Sequence, residues 1–254
     1  MNYTPSDWHK RFQHQAEWTR DMRHYLYERL EVTSAHRILD VGCGTGVLES
    51  ELALLSDAEV IGVDLNRSFL NIATQAAPLT KYTQGDGYFL PYLSGIFDLV
   101  MCHFLLLWIQ QPLKILREMV RVTRPGGAIL AIAEPDYGGR IDFPIELEQL
   151  GLWQQISLRV QGADPIMGRR LASIFSQVGL HEIETGVLGG QWSSASSTKD
   201  WPSEWKMLQA DLDWLDQDQV DHQKLNSLAI LGRQASELGE RVLFIPTFYA
   251  FGRA

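Results

Sequence analysis

Three glycines spaced two residues apart carry the clearest chemical signal in this sequence: Gly42, Gly44 and Gly46, in the run ILDVGCGTG at residues 38–46. Directly after an apolar stretch, such a run lets the backbone turn tightly and approach a ligand where a Cβ would collide. The helix expected next points its first N–H groups at the same place. A dinucleotide loop would carry its third glycine one position later, beside a pyrophosphate; Val47 stands there. The spacing therefore suits a mononucleoside-like ligand. Two acids extend the pattern. Asp64 closes the next apolar stretch, where a carboxylate can accept from ribose hydroxyls, and Asp86 closes the one after, where it could accept from an exocyclic adenine amine. Asp64 also suits a helix N-cap and Asp86 a turn.

The elements that must position these residues alternate. Arg37–Val41, Glu59–Val63, Lys81–Gln84, Phe97–Cys102 and Ala128–Ala133 read as strands. Helical patterns lie between them at Val47–Leu55, at Ser68–Ala76 and after Pro112, where Leu113, Leu116, Met119 and Val120 recur at helical spacing. Continuously apolar strands alternating with helices predict a parallel sheet covered on both faces. The flanks differ. Ser6–Leu30 reads as one long helix, Glu146–Val160 and Gly168–Val178 as two more, and Lys199–Glu240 as mostly helical; 181–188 and 241–251 are strand-like. The expected architecture is a single α/β domain over residues 1–254: a doubly wound, Rossmann-like, seven-stranded sheet, mostly parallel with an antiparallel last strand. Residues 36–140 form its cofactor-binding half, and 1–35, 141–178 and 192–240 are helical covers.

At this point the sequence resembles the class I S-adenosylmethionine-dependent methyltransferases, and within them the type-11 group that acts on small molecules. The resemblance rests on ILDVGCGTG (38–46), VIGVDLN (60–66), QGDGYFLPY (84–92), FDLVMCHFLLLWI (97–109) and EMVRVTRPGGAILAIAEPDYGG (118–139). It implies that Asp40 holds the methionine ammonium and that Gly42, Cys43 and Gly44 contact the methionine part. Asp64 would bind the ribose with Leu65 against the adenine, Asp86 the adenine amine with Gly87 adjacent, and His103 would lie beside the methyl donor. S-adenosylmethionine is the cofactor so implied. The activity implied is methyl transfer to an oxygen, nitrogen or carbon of a small organic acceptor.

The sulfonium carries an already activated methyl group, so catalytic residues leave a fainter trace than cofactor residues. His103 is the first candidate for a base or a positioning group, with a purely backbone role equally open. Asp136 and Tyr137 are candidate substrate contacts; Glu134 ends the fifth strand, and Asp164 and His14 are weaker candidates. Cys102 follows Met101 rather than a proline, which argues against a cytosine-type nucleophile, and no zinc-ligand spacing occurs.

Composition bounds the alternatives. The chain has 254 residues, a net charge of -9, two cysteines and eight tryptophans. Its longest apolar runs fall far short of the roughly 20 residues of a membrane span, the N-terminus shows no apolar signal core, and two cysteines suit a reducing cytoplasm. With no Lys/Arg-rich stretch, neither a nucleic-acid nor a membrane partner is expected. An RNA-modifying enzyme and a non-catalytic binder of the cofactor are the alternative readings. Seven of the tryptophans lie outside residues 37–134 and suggest an apolar or aromatic roof over the acceptor. Residues 200–221 hold seven acids against Lys206 and so carry most of the net charge, which reads as a solvated helix face.

Overall fold

In a computed structural model of the chain, residues 4–187, 189, 197–216 and 218–254 are described. They divide into two compact units. The larger comprises Asn2–Glu134, Gly168–Leu188 and Phe248–Ala254, and the smaller Pro135–Met167 and Gly189–Thr247.

The larger unit is built on β1 (Arg37–Val41), β2 (Glu59–Asp64), β3 (Lys81–Gln84), β4 (Phe97–His103), β5 (Thr123–Pro135), β7 (His181–Val187) and β9 (Thr247–Arg253). They form one sheet in the order β3-β2-β1-β4-β5-β9-β7. The pairs β1–β2, β1–β4, β2–β3 and β4–β5 are parallel, while β7 and β9 run antiparallel. This is the expected seven-stranded, mostly parallel sheet with one antiparallel strand. The strand order reverses between β1 and β4, so the crevice beyond their carboxyl ends is where an open α/β sheet binds its ligand.

Helices α3 (Val47–Leu55), α4 (Arg67–Ala76), α5 (Pro112–Val122) and α7 (Leu171–Gln177) belong to this unit. Asn66 caps α4 through its side chain, and Pro112 opens α5. The N-terminal segment departs from expectation. It is two helices, α1 (Pro5–Trp18) and α2 (Arg20–Arg29), broken at Thr19. A capping box between Thr4 and Asp7, with Pro5 in the first turn, fixes the start of α1. Met22, Leu26, Tyr27 and Leu30 bury the inner face of α2 and its end in a cluster with Ile38, Leu99, Met101 and Leu130 of the sheet.

The smaller unit contains β6 (Ile141–Phe143) paired antiparallel with β8 (Val242–Phe244), and helices α6 (Glu148–Val160), α8 (Ser197–Leu212) and α9 (His222–Glu237). The run 241–251, expected as one strand, is thus two strands serving different sheets, parted at Ile245–Pro246, where proline removes a ladder donor. Leu147, Leu150, Trp153, Trp201, Leu208, Leu212, Val220 and Leu228 form its interior, and Trp201 stacks on Trp205 with ring centroids 5.4 Å apart. Trp153 and Trp201 therefore pack this unit's own core, whereas Trp214 is exposed; Trp192 lies outside the described residues. Nor is the acidic run wholly solvated. Glu204 pairs with Arg241 at 2.5 Å, and the buried Asp211 accepts from Gln154 at 2.7 Å. Arg140 and Arg241 both bond Asp142, which makes a buried charge network across β6, β8 and α8.

Candidate active site at the strand ends

The glycine loop after β1 has the conformation its spacing predicts. Gly42, Gly44 and Gly46 have φ of 77°, 56° and 77°, the left-handed region open to glycine. The Gly42 N–H donates to the Val63 carbonyl at 2.8 Å, so the loop is tied to β2. A Cβ on Gly42 would stand 2.8 Å from Leu105 Cδ1, and one on Gly44 would stand 3.1 Å from Phe12 Cε2.

Asp64 binds this loop directly. Its Oδ2 accepts from the Gly44 N–H at 2.9 Å and its Oδ1 from the Asn66 N–H at 2.7 Å. The cap of α4 is Asn66, not Asp64. Partial burial raises the Asp64 carboxyl above the usual range against these two N–H groups. Leu65, next to it, is 70% exposed. Asp86 is also exposed, and its Oδ1 accepts from the Tyr88 N–H at 2.9 Å, the local turn bond open to an aspartate there. Gly87 lies against Ile115 and Val41.

Asp40 is buried, and its Oδ1 has no hydrogen-bond partner. Beside it lies Glu49 of α3, fully buried and likewise without a donor on either oxygen. Burial pushes both carboxyls up, Glu49 to about 7, and the neighbouring Glu49 adds to the rise at Asp40. Glu49 is a residue that sequence reasoning missed: in VLESELALL it looks like any polar position of a surface helix. Cys43 and Cys102 are buried free thiols, both pushed up by burial. Cys102 has none of the character of a nucleophile.

His103 ends β4, and its Nε2 lies 3.0 Å from Thr19 Oγ1. Burial, with the Arg23 charge adding, lowers the imidazole to about 3, so the ring is neutral at ordinary pH. Phe104, the next residue, has φ 50°, an uncommon backbone state for an aromatic residue. Glu134 does more than end a strand. Fully buried, it accepts from the N–H groups of Leu105 (3.0 Å), Leu106 (2.8 Å) and Leu107 (3.0 Å). This anchors the loop that carries Leu105 over Gly42.

Helix α1 supplies contacts that the sequence did not assign. His9 Nδ1 lies 2.8 Å from Thr45 Oγ1, and Trp8, Phe12 and Phe69 form an aromatic cluster with centroids 5.6–6.3 Å apart. Phe12 of this cluster lies against Gly44. His14, by contrast, contacts Glu17 and Trp18 of its own helix.

Asp136, Tyr137 and Asp164 belong to the smaller unit. Asp136 is buried and its N–H donates to the Pro246 carbonyl; the Tyr137 N–H donates to the Pro165 carbonyl, both at 2.8 Å. Asp164 Oδ1 accepts from the Ile166 N–H at 3.1 Å. Among the described residues, no three His, Cys, Asp or Glu side chains are grouped to hold a metal, and no helix is long and apolar enough to cross a membrane.

Known proteins resemble this chain in sequence and in fold. Residues 39–131 match the family described as "Methyltransferase domain". The chain is 35% identical over 133 residues to the methyltransferase GfsG of Streptomyces halstedii, covering 50% of this chain and 48% of that protein. It is 31% identical over 122 residues to the demethylmenaquinone methyltransferase of Renibacterium salmoninarum, covering 47% and 51%. The chain spans about half the length of the curated relatives it matches. Among solved structures, phosphoethanolamine N-methyltransferase 2 of Haemonchus contortus in complex with S-adenosyl-L-methionine shares the fold, with TM-score 0.60 at 16% identity over 99% of this chain and 57% of that one. The glycine loop, the strand order and the methyltransferase domain matched at residues 39–131 together support a class I S-adenosylmethionine-dependent methyltransferase.

Proposed function

We propose that the chain transfers a methyl group from S-adenosylmethionine to an oxygen, nitrogen or carbon of a small organic acceptor, apolar or aromatic in character. The observation that carries this reading is the set of acids at three successive strand ends around the glycine loop. Asp40 is buried with an oxygen that lacks a donor, Asp64 is bonded to the loop, and Asp86 is exposed.

These residues fit the cofactor. An ammonium is the partner that Asp40 lacks. Asp64 spends one site on each oxygen and keeps others for ribose hydroxyls, since a carboxylate offers about four. Asp86 keeps Oδ2 for an amine, and Leu65 offers an apolar face. Bound there, S-adenosylmethionine supplies a methyl group already activated on a sulfonium. The chain's own work is alignment and exclusion of water. Leu105 and Phe12 close over Gly42 and Gly44, and His103 presents a neutral ring at the end of β4. Asp136 and Tyr137 are the proposed acceptor contacts. With 1–254 acting as one methyltransferase, the half beyond residue 131 supplies acceptor specificity. An absence of grouped basic residues favours a small molecule over RNA.

The test is incubation with methyl-labelled S-adenosylmethionine and a metabolite extract, with total RNA in a parallel reaction. Label in small products is expected. Label in RNA would replace the reading, and cofactor binding with no transfer would make the protein a binder.

A further inference from the structure

Thr19, at the break between α1 and α2, brings its hydroxyl within 3.0 Å of His103 Nε2. The hydroxyl has one hydrogen and two lone pairs to place. Its neighbours are the Gln15 carbonyl at 3.2 Å, the Ala16 carbonyl at 3.4 Å, Arg23 Nη1 at 2.7 Å and His103 Nε2 at 3.0 Å. Arg23 can only donate, and so takes one lone pair. The hydrogen has a prior claimant. Thr19 gives its backbone N–H to the Glu17 carbonyl, which deprives Gln15 of its usual helical donor. The Ala16 carbonyl is already served by Arg23. The hydroxyl therefore donates back to Gln15, as threonine does in the last turn of a helix. One lone pair is left, and it can only accept, which assigns the imidazole proton to Nε2.

Arg23 cannot turn away, because its Nε donates to Glu51 Oε1 at 3.0 Å and its Nη2 pairs with Glu51 Oε2. Arg23 and Thr19 are both buried. Nδ1 of His103 makes no hydrogen bond within the described chain, and it is not among the sealed polar atoms.

We propose that Thr19 is a positioning residue: it fixes His103 as the Nε2–H tautomer and leaves Nδ1 as a bare acceptor at the end of β4, which selects methyl acceptors bearing an O–H or N–H on the atom to be methylated. This rests on the methyltransferase reading above. Nδ1 in this state accepts a hydrogen bond from the acceptor's O–H or N–H and so turns the reacting atom's lone pair toward the methyl donor; as the methyl carbon's bond to sulfur gives way to a bond with that atom, the proton leaves along this hydrogen bond and passes to water. A reacting atom without hydrogen gains nothing from it. The lowered imidazole keeps the ring neutral, and Arg23 is the charged group that faces it.

The first measurement needs no cofactor: 15N–1H correlation of the histidine rings in the full chain. His103 is expected as the Nε2–H form, kept in Thr19→Ser and lost to a tautomer mixture in Thr19→Val. An Nδ1–H ring in the parent chain, or an unmoved tautomer in a folded Thr19→Val, would overturn the proposal. The second is the labelled-extract reaction with products sorted by the atom methylated. O-methyl or N-methyl products are expected, with kcat lowered at least tenfold in Thr19→Val, cofactor affinity unchanged, and recovery in Thr19→Ser. Methyl groups on carbon would refute the selection claim. Failure to bind S-adenosylmethionine at all would instead strike the proposed function and leave the tautomer result standing.

Discussion

The Gly44 N–H points at the Asp64 carboxylate 2.9 Å away, and so ties the loop after β1 to the end of β2. One acid thus shapes the cradle and, in the proposed function, also binds the ribose. Asp64→Ala is expected to weaken S-adenosylmethionine at least tenfold, about 1.4 kcal/mol. Asp64→Asn, which keeps one acceptor for the Gly44 N–H, should lose less. Titration calorimetry decides it: equal affinity in all three proteins would remove Asp64 from the site.

Glu49 sets a pH dependence whose sign can be worked out. Its carboxyl sits at about 7 in the folded chain against an ordinary value of 4.5. Between these values the folded state holds a proton that the unfolded state releases, so stability falls as pH rises through this window. Glu49→Gln removes that loss. Urea unfolding should find it equal to or below the parent near pH 4.5 and more stable near pH 8, by at most about 3 kcal/mol. A stability difference independent of pH would mean that Glu49 is ionised in the fold.

Three backbone N–H groups depend on Glu134. Glu134→Ala should cost about 3 kcal/mol in urea unfolding, because the donors of Leu105, Leu106 and Leu107 lose their partner in a buried place. The loosened loop also frees Leu105 from Gly42, and cofactor affinity should drop with it. Normal stability in the variant would show that the loop has another anchor.

Within the smaller unit, a Cβ on Gly232 would stand 2.1 Å from Trp201 Cη2. Gly232→Ala should therefore cost about 1–3 kcal/mol by overpacking and perturb the Trp201–Trp205 stack, visible in near-ultraviolet circular dichroism. Adding Trp201→Phe should recover part of the loss. If the double variant is no better than the single one, the ring is not what the alanine meets.

How far the sequence could be read differs from residue to residue, for physical reasons. Asp64 was legible because strand periodicity stops at it and the glycine run lies just upstream. The sheet was legible because buried parallel strands are continuously apolar. Glu49 was not: a polar residue between Leu48 and Leu52 reads as the wet side of a helix, and only the fold turns it inward against Asp40. Thr19 was hidden in a pattern that continues from Trp8 to Leu30 without a glycine or proline, since threonine ends a helix here through its contacts and not through its propensity. The split of 241–251 did have a signal, Pro246, which no central strand would carry.

Pro135, Pro165 and Pro246 stand at or beside the necks where the chain enters and leaves the smaller unit, and the N–H groups of Asp136 and Tyr137 tie these points together through the Pro246 and Pro165 carbonyls. Prolines in such places restrict the unfolded chain, and a loop whose ends are pinned tolerates growth cheaply, at about 0.6 kcal/mol for each doubling of length. Evolution can therefore lengthen, shorten or rewrite the stretches between the necks at little thermodynamic cost. The family match ends at residue 131, four positions before the first neck. That is where a lineage free to change its acceptor, but bound to keep its cofactor, would let its sequences diverge.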